Sequence, residues 1–117
     1  MPQVINETVI FRRERRQPHA IVAILPTDEA TFGNLVAIVP VFDPPLPDFS
    51  CYCTSEVSLD WLKRHTRPAT EQQYGPLREY LLARWNGLQA AYKAPPIEFV
   101  IRRRITRSML DEAWGWR

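Results

Sequence analysis

The sequence predicts an α+β domain: a mostly antiparallel sheet of four to five strands, with one long helix over about residues 70–92 packed on one face and two short helices. Three observations carry this reading. In Thr70 to Tyr92, the residues Tyr74, Leu77, Leu81, Trp85, Leu88 and Tyr92 recur at spacings of three and four. That spacing gathers large apolar groups on one stripe of a helix and leaves Arg78, Glu79, Arg84 and Gln89 to solvent. Ala20 to Leu25 is an unbroken apolar run, as expected of a strand covered on both faces, and Leu35 to Phe42 is a second apolar run. Ile97, Phe99 and Ile101 alternate with Glu98, Val100 and Arg102 ahead of Ile105, the period of a strand.

Taken in order, Val4 to Phe11 reads as a half-buried strand with Ile5, Val9 and Phe11 on one side. Asn6, Thr8 and Arg12 take the other, where Ile10 interrupts the polar pattern. Pro26 closes the second strand by withholding a ladder donor, and Asp28 and Gly33 supply a turn. Pro40 confines the end of the third strand to an edge or a bulge. Asp43 to Asp48 carries three prolines and reads as a stiff extended loop, followed by a short strand over Phe49 to Thr54. Ser58 can cap a helix of one or two turns through His65, bearing Leu59, Trp61 and Leu62. Thr70 and Gln73 form a capping box for the long helix. Gly75-Pro76 conflicts with an unbroken helix and predicts a first-turn irregularity or a restart at Pro76. After Ala94-Pro95-Pro96 the last strand must return to the sheet. Lying beside the first strand, it would bring two arginine clusters together. Ser108 can cap a final short helix.

Of the 117 residues, 45% are hydrophobic and 24% charged, the balance of one domain, 1–117, with a single core. A net charge of +2 announces no polyanionic partner by itself. Cys51 and Cys53 are too few and too close to staple a small secreted domain, and no apolar signal region follows Met1-Pro2. A cytoplasmic location is expected. The apolar runs are far shorter than a membrane span, so no membrane association is expected either.

The segments VIFRR at 9–13, AILP at 23–26, TRPATEQQY at 66–74 and FVIRRRIT at 99–106 resemble a group of small proteins encoded by phages, plasmids and integrative elements. TRPATEQQY is the distinctive part. Relatives in that group carry a Gln-His-bearing stretch where this chain reads CYCTSEVSLDW. The resemblance implies a genomic setting, a mobile genetic element, and no mechanism.

The arginines are the main candidate for function. Arg12, Arg13, Arg15 and Arg16 form one cluster and Arg102, Arg103, Arg104 and Arg107 another. Standing beside Phe11, Phe99 and Ile101, they suit a basic sheet surface or edge that engages phosphates or an acidic protein. They also suit an edge that repels other strands while Glu14, Glu98, Asp111 and Glu112 neutralise it, and the small net charge favours that reading. Trp114 and Trp116 are either anchors of the last helix or exposed hot spots for a partner. Cys51 and Cys53 share one face of a strand, but a closed zinc site needs more ligands, and His19 and His65 are the only imidazoles. A thiolate paired with His65 would need the two to converge in space. There is no phosphate loop, nucleophile elbow or paired-carboxylate spacing, and four glycines are few for backbone-lined nucleotide cradles.

These readings converge on a non-enzymatic interaction protein of a mobile genetic element, a monomer or homodimer without cofactor or metal. It would bind a host or element-encoded protein through Arg12, Arg13, Arg15, Arg102, Arg103, Arg104, Trp114 and Trp116. The alternatives are a nucleic-acid-binding accessory factor using the same arginines, and a small enzyme built on cysteine and histidine.

Overall fold

The first strand, β1 (Ile5–Glu14), is the one on which the sheet is built, because strands pair along both its edges and its central residues are buried on both faces. The computed structural model describes residues 4–16, 20–26, 34–40 and 52–104. Along one edge follow β2 (Ile21–Leu25), β3 (Asn34–Pro40) and β4 (Tyr52–Ser58), all antiparallel. The other edge is shared. β6 (Ile97–Arg102) runs parallel to Ile5–Ile10, and the three-residue β5 (Thr66–Pro68) runs antiparallel to Arg12–Glu14. The sheet is therefore mostly antiparallel with six strands, and it carries two helices, α1 (Leu59–His65) and α2 (Glu71–Ala91). The third expected helix, from Ser108, lies outside the described residues, as does the proline-rich loop at 43–48.

The pleat sorts the core into two layers. Val9, Phe11, Ile21, Ala23, Leu25, Val36 and Ile38 point toward α2 and meet Leu77 and Leu81. Ile10, Val22, Ile24, Leu35 and Ala37 point to the opposite face, where α1 contributes Leu62. The half-buried reading of β1 is thus corrected at its centre. Ile10 is fully buried, because the face expected to be polar has a core of its own. The runs in β2 and β3 have no alternation for the same reason.

α2 begins as expected, with Thr70 accepting from the Gln73 amide and the Gln73 side chain accepting from the Thr70 amide. It then continues through Pro76 without a restart. Proline clashes with the Cβ of the residue before it, and Gly75 has none, so that part of the conflict is relieved, and the lost donor falls at an exposed position in the second turn. The apolar stripe is shorter than its spacing suggests. Leu77 and Leu81 are buried, with Tyr74 and Trp85 half-buried, but Leu88 is 51% and Tyr92 81% exposed. α2 leads from the end of β5 to the start of β6 and so runs back along β1. β2 pairs with β1 only at Ile10–Arg13, so the last turns of α2 have little sheet beneath them. There the connection is polar: Asn86 both donates to the Ile97 carbonyl and accepts from its amide, and Gln89 donates to the Pro95 carbonyl.

The fourth strand, Tyr52–Ser58, runs past its expected end at Thr54 and finishes at Ser58, whose hydroxyl accepts from the Trp61 amide to cap α1. β5 is an element that no periodicity announced.

Candidate functional site

At one end of the sheet three chain segments deliver arginines to the same place. β1 carries Arg12 and Arg13 near its end and is followed by Arg15 and Arg16, and β6, parallel to it, ends at Arg102 and is followed by Arg103 and Arg104. β5 adds Arg67. Eight of the fifteen basic side chains are therefore carried by these three chain ends. The expectation that the returning strand would lie beside the first is met and brings Arg102, Arg103 and Arg104 to the first cluster, while Arg107 lies outside the described residues.

They do not all do the same work. Arg12 is half-buried and turned inward: its Nε donates to Thr66 Oγ1 at 2.9 Å and a terminal nitrogen donates to the Thr66 carbonyl at 3.0 Å. The Thr66 hydroxyl in turn donates to the Leu62 carbonyl. This latch joins β1, β5 and the end of α1. Burial first, and then the charge of Arg15, pull Arg12 below the ordinary arginine value. Two of the Arg12 guanidinium nitrogens are thus held by Thr66, which gives this arginine a structural role the sequence did not suggest.

Arg13 faces Arg67 across the β1–β5 pair. Ala69 donates to the Phe11 carbonyl at 3.1 Å and Arg15 donates to the His65 carbonyl at 2.9 Å, so Phe11–Ala69 and Arg15–His65 are hydrogen-bonded positions. Positions alternate in an antiparallel ladder, so Arg13–Arg67 is hydrogen-bonded and Arg12–Pro68 is not. Pro68 thus lacks its donor on the side away from β1, where the ladder does not need it. Two guanidinium-bearing residues directly opposite destabilise a sheet. Among the described residues the ion pairs are Arg64–Asp60, Arg78–Glu71 and Arg78–Glu79, and none serves the arginines of this end. The nearest acid along β1, Glu14, belongs to the opposite face of the strand. Its carboxyl is pushed up by burial, an effect that His65 partly offsets.

Where β6 bends away at 103–104 and β5 takes over the edge of β1, a cleft of about 280 Å³ opens. Phe11, Pro68, Ala69, Tyr74 and Ile101 give it apolar walls, and Arg102, Arg103, Thr70 and Glu71 a polar rim. Its rings are engaged within the protein: Phe11 stacks on Tyr74 at 4.5 Å and 8°, its edge meets Phe99, and the Arg78 guanidinium lies over Tyr74 at 5.6 Å.

The other candidates separate. Cys53 is exposed and lines a recess of about 110 Å³ with Ile38, Thr54, Tyr80, Leu81, Arg84 and Trp85. His65 stands elsewhere, beside Trp61 at 5.8 Å between ring centres, and lines neither cleft. Among the described residues no three His, Cys, Asp or Glu side chains gather to hold a metal ion, and no helix is long and apolar enough to cross a membrane. Cys51, Trp114 and Trp116 lie outside the described residues. Arg67 is the site residue that sequence reasoning missed. Pro68 was the available signal, since the residue before a proline is held extended. Comparison of the chain with family models, curated proteins and solved structures finds no match in any of the three.

Proposed function

We propose that this chain is a non-enzymatic interaction protein of a mobile genetic element, and that its arginine-rich end holds an acidic surface of a host or element-encoded protein. The observation that carries the reading is the Arg13–Arg67 pair, which has no ion-pair partner among the described residues and stands one pleat beyond Phe11 and Ala69 of an apolar cleft rimmed by Arg102 and Arg103. A positive end on a molecule of net charge only +2 suits a localised contact with one protein face. The mobile-element setting is supported by the TRPATEQQY resemblance.

The nucleic-acid reading is the runner-up, favoured by the convergence of the same arginines. Single-stranded binding draws on free aromatic planes for base stacking. At this end Phe11 and Tyr74 are committed to each other and to Arg78, which puts the protein partner first.

The test is affinity capture from the native host with the wild-type chain and with an Arg13→Glu, Arg67→Glu, Arg103→Glu variant, beside titration with duplex and single-stranded DNA at low salt. The expected result is an acidic protein retained by wild type, released by added salt and absent with the variant. Equal capture by the variant, or tight DNA binding with a steep salt dependence and no protein captured, would overturn the proposal.

A further inference from the structure

The cleft and the opposed arginines together describe a receptor more specific than a basic surface. We infer that the cleft between β5 and β6 accepts one bulky apolar side chain of a partner peptide, while Arg13, Arg67 and Arg103 hold carboxylates on either side of it. This rests on the preceding reading of the basic end as a protein-binding surface and names the partner's chemistry.

Three features lead to it. The volume, about 280 Å³, lies at the small end of the roughly 300–1,000 Å³ of ligand sites and has room for one bulky side chain. Its walls of Phe11, Pro68, Ala69, Tyr74 and Ile101 are mainly apolar, with the Tyr74 hydroxyl the one side-chain hydrogen-bonding group among these five, which suits an aromatic or aliphatic residue. Arg13 and Arg67 follow Phe11 and Ala69 on the same face of the sheet by one pleat, about 6–7 Å. A carboxylate one or two residues from the inserted side chain therefore reaches them. Guanidinium groups bind carboxylates in bidentate fashion, and one carboxylate between Arg13 and Arg67 would convert a repulsive pair into a bridged one. Glu71, also on the rim, already contacts Arg78 at 3.5 Å and repels a carboxylate placed near the start of α2, which directs the acidic flanks toward Arg13, Arg67 and Arg103.

The experiment is an NMR titration of the full isotope-labelled chain at low salt with three probes carrying four negative charges each. These are the capped pentapeptide Glu-Asp-Phe-Asp-Glu, the same peptide with alanine at its centre, and pentathymidylate. The expected result is that the phenylalanine peptide shifts the signals of Phe11, Ala69, Tyr74 and Ile101 and binds about tenfold more tightly than the alanine peptide. Arg13→Ala and Arg67→Ala should each weaken it about fivefold or more. Neither variant should unfold the chain, since each relieves a like-charge pair. Equal affinity for the two peptides, tighter binding of pentathymidylate, or no shift at the cleft would overturn the inference. The proposed function fails separately, when host-protein capture does not depend on the arginines.

Discussion

Replacing Thr66 by valine tests whether Arg12 belongs to the fold or to the binding surface. Thr66 is 1% exposed, and its hydroxyl accepts from Arg12 Nε while donating to the Leu62 carbonyl. A hydrogen bond to a charged group contributes about 1.5–3 kcal/mol and an ordinary one about 0.5–1.5. Arg12 is only half-buried, so water recovers part of the first, and the variant is expected to lose about 2 kcal/mol in all. With a urea slope of roughly 1–3 kcal/mol per molar, the unfolding midpoint should fall by about 1 M. Arg12→Ala breaks the same latch, so the double variant should lose less than the sum of the two, with a coupling of about 1 kcal/mol. Additive losses, or a Thr66→Val cost below about 0.5 kcal/mol, would refute the latch and return Arg12 to the surface arginines.

Asn86→Ala removes both hydrogen bonds to Ile97 and should cost about 1–3 kcal/mol in thermal unfolding; a neutral result would show that the turn into β6 holds without its bridge. Leu81→Ala should cost about 2–5 kcal/mol, whereas Leu88→Ala, at a position 51% exposed, should cost less than about 1. Similar losses at the two sites would contradict the departure of α2 from the sheet. Glu14 is held above its ordinary value of 4.5, so the folded chain keeps that proton at pH values where the unfolded chain has released it. Its contribution is therefore present below 4.5 and is lost as pH rises through the raised value. Glu14→Gln should remove this fall and flatten stability just above pH 4.5; an unchanged profile would exclude Glu14 as its source.

The site was legible in part. FRRERR and IRRRITR stand out as text, and placing β6 beside β1 follows from the need of a returning apolar strand for a partner. Arg67 was hidden because three residues are too few for a period, and the segment containing it drew attention for its helix cap. The inward role of Arg12 was hidden too, because a side chain's hydrogen-bond partner fifty-four residues away leaves no trace in local spacing.

By itself the sequence determined what depends on near neighbours. Both helix starts follow from Ser58 and Thr70, whose hydroxyls reach amides three residues on, and the covered second strand follows from the Ala20–Leu25 run, which only a two-faced core can satisfy. Only the tertiary structure decided what depends on distant pairing. It gave β1 two partners on one edge, ended the buried stripe of α2 at Trp85, and divided the arginines into one latch and an open basic end. The physical reason is that strand pairing closes long loops, and the side chains it brings together are chosen by register, which a one-residue slip would reverse.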